Sequence, residues 1–138
     1  MRGEFNHTID AKGRLFFPAK LRDKLGESFI VTKGIDGCLF VYSTAAWDEL
    51  ESRIAAMPMS KSREMQRFFF SSAADCEADA QGRILIPQTL REHAGITREV
   101  TVIGVSGRAE IWDTARWNAY NSRIDESALI EAMEELGF

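Results

Sequence analysis

The sequence predicts an α+β fold in which short strands from two copies of one unit interleave to close a single small barrel, with helices outside. Three observations predict it. A five-residue loop is written twice, as Asp10-Ala11-Lys12-Gly13-Arg14 and as Asp79-Ala80-Gln81-Gly82-Arg83. Apolar, β-prone residues flank it: Thr8 and Ile9 lie before the first copy, Leu15-Phe16-Phe17 after it, and Ile84-Leu85-Ile86 after the second. Each copy then runs into Pro, a short helical stretch with Leu-Arg, and Gly. An Asp that accepts backbone hydrogen bonds, followed three residues on by a Gly that tolerates positive φ, suits a tight hairpin loop. Two such hairpins closing one barrel leave no exposed edges.

The repeat is wider than the loop. At an offset of 69, Asp10 to Gly26 matches Asp79 to Gly95 at eight of seventeen positions, where chance supplies about one, so the chain is an internal duplication. With one extra residue in the second copy, Gly37, Trp47, Arg53 and Ile54 pair with Gly107, Trp117, Arg123 and Ile124. The expected organisation is a first repeat over residues 5–47, a helical linker over 48–75, a second repeat over 76–119 and a helical tail over 120–138. At 138 residues this is one domain by length, long enough to close a core shared by both copies about a pseudo-twofold.

In chain order, Phe5–Ile9 reads as a strand and Arg14–Phe17 as its return. Three successive apolar residues do not alternate with polar ones, so the return strand is expected to be covered on both faces. Pro18 opens a short helix at its first position and Gly26 closes it. Strands follow at Ser28–Lys33 and Cys38–Tyr42. Ser43 is placed to cap a helix from Thr44 to about Met57, with Trp47, Leu50 and Ile54 on one face. Pro58 ends that helix, and a second helical stretch runs from about Ser60 to Ser72. The second copy repeats the plan: strand and loop over Glu77–Arg83, return strand Ile84–Ile86, helix Pro87–Gly95, strands Glu99–Val105 and Ala109–Trp112, and a helix capped by Asp113. The last helix, Ser127–Leu136, carries Leu129, Ile130, Met133 and Leu136 as an apolar stripe, and packing on a neighbouring subunit is its expected use.

Charge and composition narrow the function classes. The net charge is −4, yet residues 125–138 hold five acidic and no basic residues, which leaves the rest at +1. Lys12, Arg14, Lys20, Arg22 and Lys24 cluster around the first loop in sequence, so nucleic acid stays open as a partner. No apolar run approaches the ~20 residues of a membrane span, and no signal-like segment opens the chain. A cytoplasmic protein with reduced thiols is expected, since Cys38 and Cys76 fit neither the repeat nor a metal spacing. No metal or other cofactor and no small-molecule ligand is implied.

The loops carry the chemistry. Arg14 and Arg83 present planar donor forks that grip a guanine edge bidentately or pair with phosphate. Lys12 suits phosphate as a point charge, and its counterpart Gln81 makes the second loop one charge poorer. Asp10 and Asp79 are expected to brace the turns and orient the Arg four residues on. Gly13 and Gly82 supply backbone freedom and room for the duplex to approach. Arg2 and Lys20 stand as further phosphate contacts. Lys20, Arg22 and Lys24 otherwise read as a solvated helix face, as do Lys61, Arg63 and Arg67. Trp47, Trp117, Phe68 and Phe69 read as core or subunit interface, and the unmatched His7 and His93 are not ligands.

The doubled Asp-x-x-Gly-Arg loop, each copy followed by three apolar residues, Pro and a short helix with Leu-Arg, resembles the MraZ family of bacterial transcriptional regulators, built from SpoVT–AbrB type half-domains. The resemblance covers nearly the whole chain. It implies an AbrB-like swapped-hairpin (double-split) barrel within one chain and ring-like homo-oligomers. It also implies binding to double-stranded DNA at direct repeats upstream of the division and cell-wall gene cluster, in the cytoplasm at the nucleoid. The family's DNA-contacting Asp-x-x-x-Arg motif maps onto Asp10…Arg14 and Asp79…Arg83. Two other readings stay open. One is a protein-binding module, as in antitoxins that share this barrel type. The other is an aspartic hydrolase using Asp10 and Asp79, against which stand the Arg four residues from each Asp, which favours both carboxylates ionised, and the lack of an Asp-Thr/Ser-Gly motif. Otherwise the sequence points away from an enzyme.

Overall fold

The first two strands of each repeat pair with strands of the other repeat, and that crossing organises the molecule. The computed structural model describes residues 1–138. Strand β1 (Arg2–Thr8) leads through the first loop to β2 (Arg14–Phe16), with an isolated bridge Ile9↔Leu15 closing the hairpin. Helix α1 (Ala19–Leu25), strands β3 (Ser28–Lys33) and β4 (Leu39–Ser43) and helix α2 (Thr44–Ala55) complete the first copy. Helix α3 (Met59–Met65) and a π-helical turn (Gln66–Phe70) form the connection. The second copy follows with β5 (Ala74–Glu77), β6 (Arg83–Leu85), α4 (Gln88–Ala94), β7 (Glu99–Val105), β8 (Ala109–Asp113) and α5 (Thr114–Ser122), before α6 (Glu126–Glu135).

All strand pairs are antiparallel, in a six-stranded sheet ordered β1-β7-β8-β4-β3-β5 and a two-stranded β2-β6 ribbon. The first strand of each copy lies on the third strand of the other: Arg2↔Val105 to Thr8↔Glu99 joins β1 to β7, and Ser28↔Glu77 to Val31↔Ala74 joins β5 to β3. The central ribbon is also shared, through Arg14↔Leu85, Leu15↔Ile84 and Phe16↔Arg83. One main apolar core results, to which Leu15, Phe17, Leu21 and Phe29 contribute from the first copy and Ile84, Ile86, Leu90 and Val102 from the second, beside a smaller cluster of Cys38, Phe40, Ile103 and Trp112. Each copy lacks half of its own core, so the two fold as one body.

The structure corrects several sequence expectations. The return strands are covered on one face only: Leu15 and Ile84 are sealed, whereas Phe16 is 48% and Leu85 58% exposed. The strand before the second loop is Ala74–Glu77, earlier than Glu77–Arg83, so residues 78–82 belong to the loop. Pro18 and Pro87 precede their helices, in extended conformation at ψ 128° and 148°. The expected Ser60–Ser72 helix begins at Met59 and changes to π geometry at Gln66, where Phe69 stacks on Phe40 and Phe70 meets Trp47 edge-on. The caps stand where expected. Ser43 Oγ accepts from the Ala46 amide at 3.1 Å and an Asp113 carboxylate oxygen from the Arg116 amide at 3.2 Å.

Helix α6 is exposed along its whole length, its Leu129, Ile130, Met133 and Leu136 stripe included. Cys38 and Cys76 are buried free thiols, and loss of solvation pushes them up to about 12 and about 11 respectively. No helix is long and apolar enough to cross a membrane.

Candidate nucleic-acid interface

Each loop is built around one aspartate. In the first, one Asp10 carboxylate oxygen accepts from the amides of Lys12 (3.0 Å) and Arg14 (2.9 Å), and the other accepts from Arg14 Nε at 2.6 Å. In the second, Asp79 accepts from the amides of Gln81 and Arg83 (both 2.9 Å) and from Arg83 Nε at 2.9 Å. The loops also close on themselves, Gly13 N donating to Asp10 O and Gly82 N to Asp79 O. The amide of the Arg four residues on is the largest influence holding each carboxyl below the ordinary value of 3.8; its guanidinium and the amide of Lys12 or Gln81 pull the same way. Both aspartates are thereby anionic braces, each bonded to its own arginine. A hydrolytic dyad needs two carboxyls sharing one proton, and the antiparallel ribbon instead places these loops at its opposite ends.

With Nε committed to the aspartate, the two Nη groups of Arg14 and Arg83 make no hydrogen bond within the chain. Their side chains are half-buried, 36% and 22% exposed, so the fork is pre-oriented and loses less freedom on binding than a loose arginine. Lys12 and Gln81 stand exposed at the tips, and Lys12 enters none of the chain's ion pairs.

The repeats also cross at the loops. Gly13 O accepts from Ile86 N at 2.8 Å, and Gly82 O from Phe17 N at 3.0 Å. Beneath the first loop lies Arg91 of α4, whose Nε donates to Ile86 O at 2.9 Å; beneath the second lies Arg22 of α1, donating to Phe17 O at 3.2 Å. Gly13 (φ 85°) needs its missing Cβ, because one would sit 2.9 Å from the Ile86 carbonyl oxygen and 2.9 Å from Arg91 Cζ. The space at Gly13 is therefore filled by the other repeat, and Arg22 at Gly82 plays the matching part. Arg22 is a half-buried support under a loop, which corrects its reading as a solvated helix residue. The signal for Arg22 and Arg91 was present in the sequence, since both are repeat identities.

Helix α1 is likewise displaced from the loop it follows. It borders a cleft with Asp79 of the second loop, through Ala19 and Arg22, while the first loop shares a cleft with Arg91 and Gly95 around α4. The sequence cluster of basic residues is thus split: Lys12 and Arg14 stay on the first loop, and Arg22 lies beneath the second. Arg2 and Lys20 come together with Lys24 and Asp23 around a separate cleft. Arg2 begins β1 and Thr8 ends it, which sets Arg2 about 20 Å from the base of the first loop. No group of three or more His, Cys, Asp and Glu side chains is placed to hold a metal ion.

Comparison with known proteins agrees with this doubled architecture. The family model described as "MraZ protein, putative antitoxin-like" matches twice, over residues 1–67 and 69–136. A protein from Heliobacterium modesticaldum named Transcriptional regulator MraZ is 54% identical over 88% of this chain and 86% of its own length. Proteins of the same name from Acetivibrio thermocellus and Alkaliphilus oremlandii are each 49% identical, over 96% and 98% of this chain and 93% and 97% of theirs. With two matches that divide the chain at its internal repeat, and relatives at about half identity along nearly its full length, the chain belongs to the MraZ family.

Proposed function

We propose that this chain is a sequence-specific DNA-binding transcriptional regulator whose reading head is the pair of Asp–Arg loops. One observation carries the reading. Two repeat-related arginines are each held by their own aspartate through Nε, leaving both Nη donors free at the surface. That is the posture for bidentate contact with a guanine edge or a phosphate. Lys12 adds a phosphate contact at one tip, and Gln81 a neutral donor and acceptor at the other. Relatives along nearly the whole chain bear the name transcriptional regulator.

The crossed strand pairing supports reading the fold as an AbrB-like swapped-hairpin barrel, with working halves at 5–47 and 76–119, a linker at 48–75 and a tail at 120–138. A single chain offers few cations. Each neutralised phosphate contributes about −0.9 to the salt slope, so a few contacts bind weakly. Linking subunits raises effective concentration without any new contact type. A head-to-tail homo-oligomeric ring also points equivalent loops the same way, which suits direct repeats spaced near one helical turn. The proposed operator is such an array upstream of the division and cell-wall gene cluster, bound in the cytoplasm at the nucleoid.

The test is fluorescence anisotropy with the duplex upstream of the chain's own gene against a random duplex, across a salt series. Size-exclusion chromatography and circular dichroism check assembly and fold. Arg14→Ala and Arg83→Ala should each lose about 1–3 kcal/mol of discrimination while remaining assembled. Equal affinity of wild type for both duplexes overturns the reading. A second reading, a protein-binding module, is favoured by one observation, the uncovered apolar stripe of α6.

A further inference from the structure

The exposed face of the β2–β6 ribbon carries two large apolar side chains that the fold does not use. Leu15 and Ile84 seal the inner face, which pins the register, because a slip of one residue would turn the buried pair outward. The outer face then presents Arg14, Phe16, Arg83 and Leu85. The register pairs them crosswise, Arg14 opposite Leu85 and Phe16 opposite Arg83. Each reading arginine therefore has an apolar neighbour directly across the ribbon, about 5 Å away between Cβ atoms. That distance is comparable with the ~3.4 Å rise between successive bases of one strand.

Resting on the DNA-binding reading above, we propose that Phe16 and Leu85 are specificity residues that pack on thymine methyl groups in the major groove, beside the bases read by Arg14 and Arg83. A two-stranded ribbon fits the major groove, and the thymine C5 methyl is the apolar feature displayed there. Charge complementarity selects this occupant. The apolar pair sits between two guanidiniums with free Nη groups, and Lys12 stands at one end. The cleft beyond Phe16 is lined by Glu4 and Glu99, which disfavour phosphate on that side. A Phe and a Leu about half exposed on the same short ribbon gain burial only when the ribbon is covered. Phe16 and Leu85 also differ in shape, so the two half-sites read by one chain need not be identical.

The experiment measures anisotropy on the upstream duplex with deoxyuridine replacing one thymine at a time, which removes a single methyl. Wild type, Phe16→Ala, Leu85→Ala and Arg14→Ala are compared. At one or two positions wild type should weaken about fourfold, the factor for burying one methyl-sized group. Phe16→Ala or Leu85→Ala should weaken binding on the thymine duplex and lose its sensitivity to deoxyuridine at the matching position. Specific wild-type binding that deoxyuridine leaves unchanged at every position overturns the proposal while the DNA-binding reading stands. So does a deoxyuridine penalty that persists in full in both alanine variants. If the alanine variants instead change the oligomeric state with no deoxyuridine effect, the face is an interface between copies and the proposal falls. If wild type fails to prefer its own upstream duplex and Arg14→Ala changes nothing, the DNA-binding reading falls and this inference with it.

Discussion

Asp10 and Asp79 show how one side chain ties the start of a loop to its end. Each accepts two backbone amides and one guanidinium nitrogen, so ionisation and loop order are linked. The folded-state pKa lies below the ordinary 3.8. The stabilisation is therefore present above that value and is lost as pH falls through the lowered one. Thermal denaturation followed from neutral pH down to about pH 2 should show Asp10→Asn and Asp79→Asn melting below wild type at neutral pH. The gap should close as acid protonates the wild-type carboxyls. A gap that is unchanged in acid would show that charge is not what the aspartates supply.

At the scale of elements, the β2–β6 ribbon separates a sealed face from an open one across the thickness of one strand. Leu15 is fully sealed and Phe16, one residue on, is half exposed. Leu15→Ala should cost about 2–5 kcal/mol of unfolding free energy in a denaturant titration. Phe16→Ala should stay within roughly 0.5 kcal/mol, as for an exposed position. A comparable loss for both would mean that Phe16 is a core residue and its exposed face is covered. Here the sequence was hard to read for a specific reason. Leu-Phe-Phe and Ile-Leu-Ile contain no polar residue to mark the outward position, so alternation is silent about which face is open. The turns were legible because an Asp and a Gly at fixed spacing have few other uses. The caps at Ser43 and Asp113 were legible for the same local reason.

At the scale of the molecule, the two copies are not equivalent. The first is followed by α3 and a π-helical turn that fold back through Phe69 and Phe70. The second is followed by α6, whose apolar stripe touches solvent. Deleting residues 126–138 should leave the melting temperature nearly unchanged, since α6 buries none of its residues in the fold. Size-exclusion chromatography and anisotropy then separate the uses of the helix. A smaller assembly with weaker DNA binding makes α6 a contact between subunits. An intact assembly that binds DNA normally and retrieves no partner counts against the protein-binding reading.

The amino-acid sequence alone determined the duplication, the two braced loops, the helix caps and the alternation of apolar segments that makes an α+β chain. The duplication is read by setting segments 69 residues apart side by side; the rest are local, set by residues within a turn or two of each other. Tertiary structure alone decided which strand of the other repeat each one joins, and in what register. The third strands of the two copies are equivalent partners, and a first strand finds the same kind of edge on either; only joint burial of one core selects the crossed arrangement. That choice placed Arg22 under the second loop and Arg91 under the first. It also aligned Arg14 with Leu85 and Phe16 with Arg83 on one open face. A contact between residues some seventy positions apart is set by the closing of the core, and no local pattern records it.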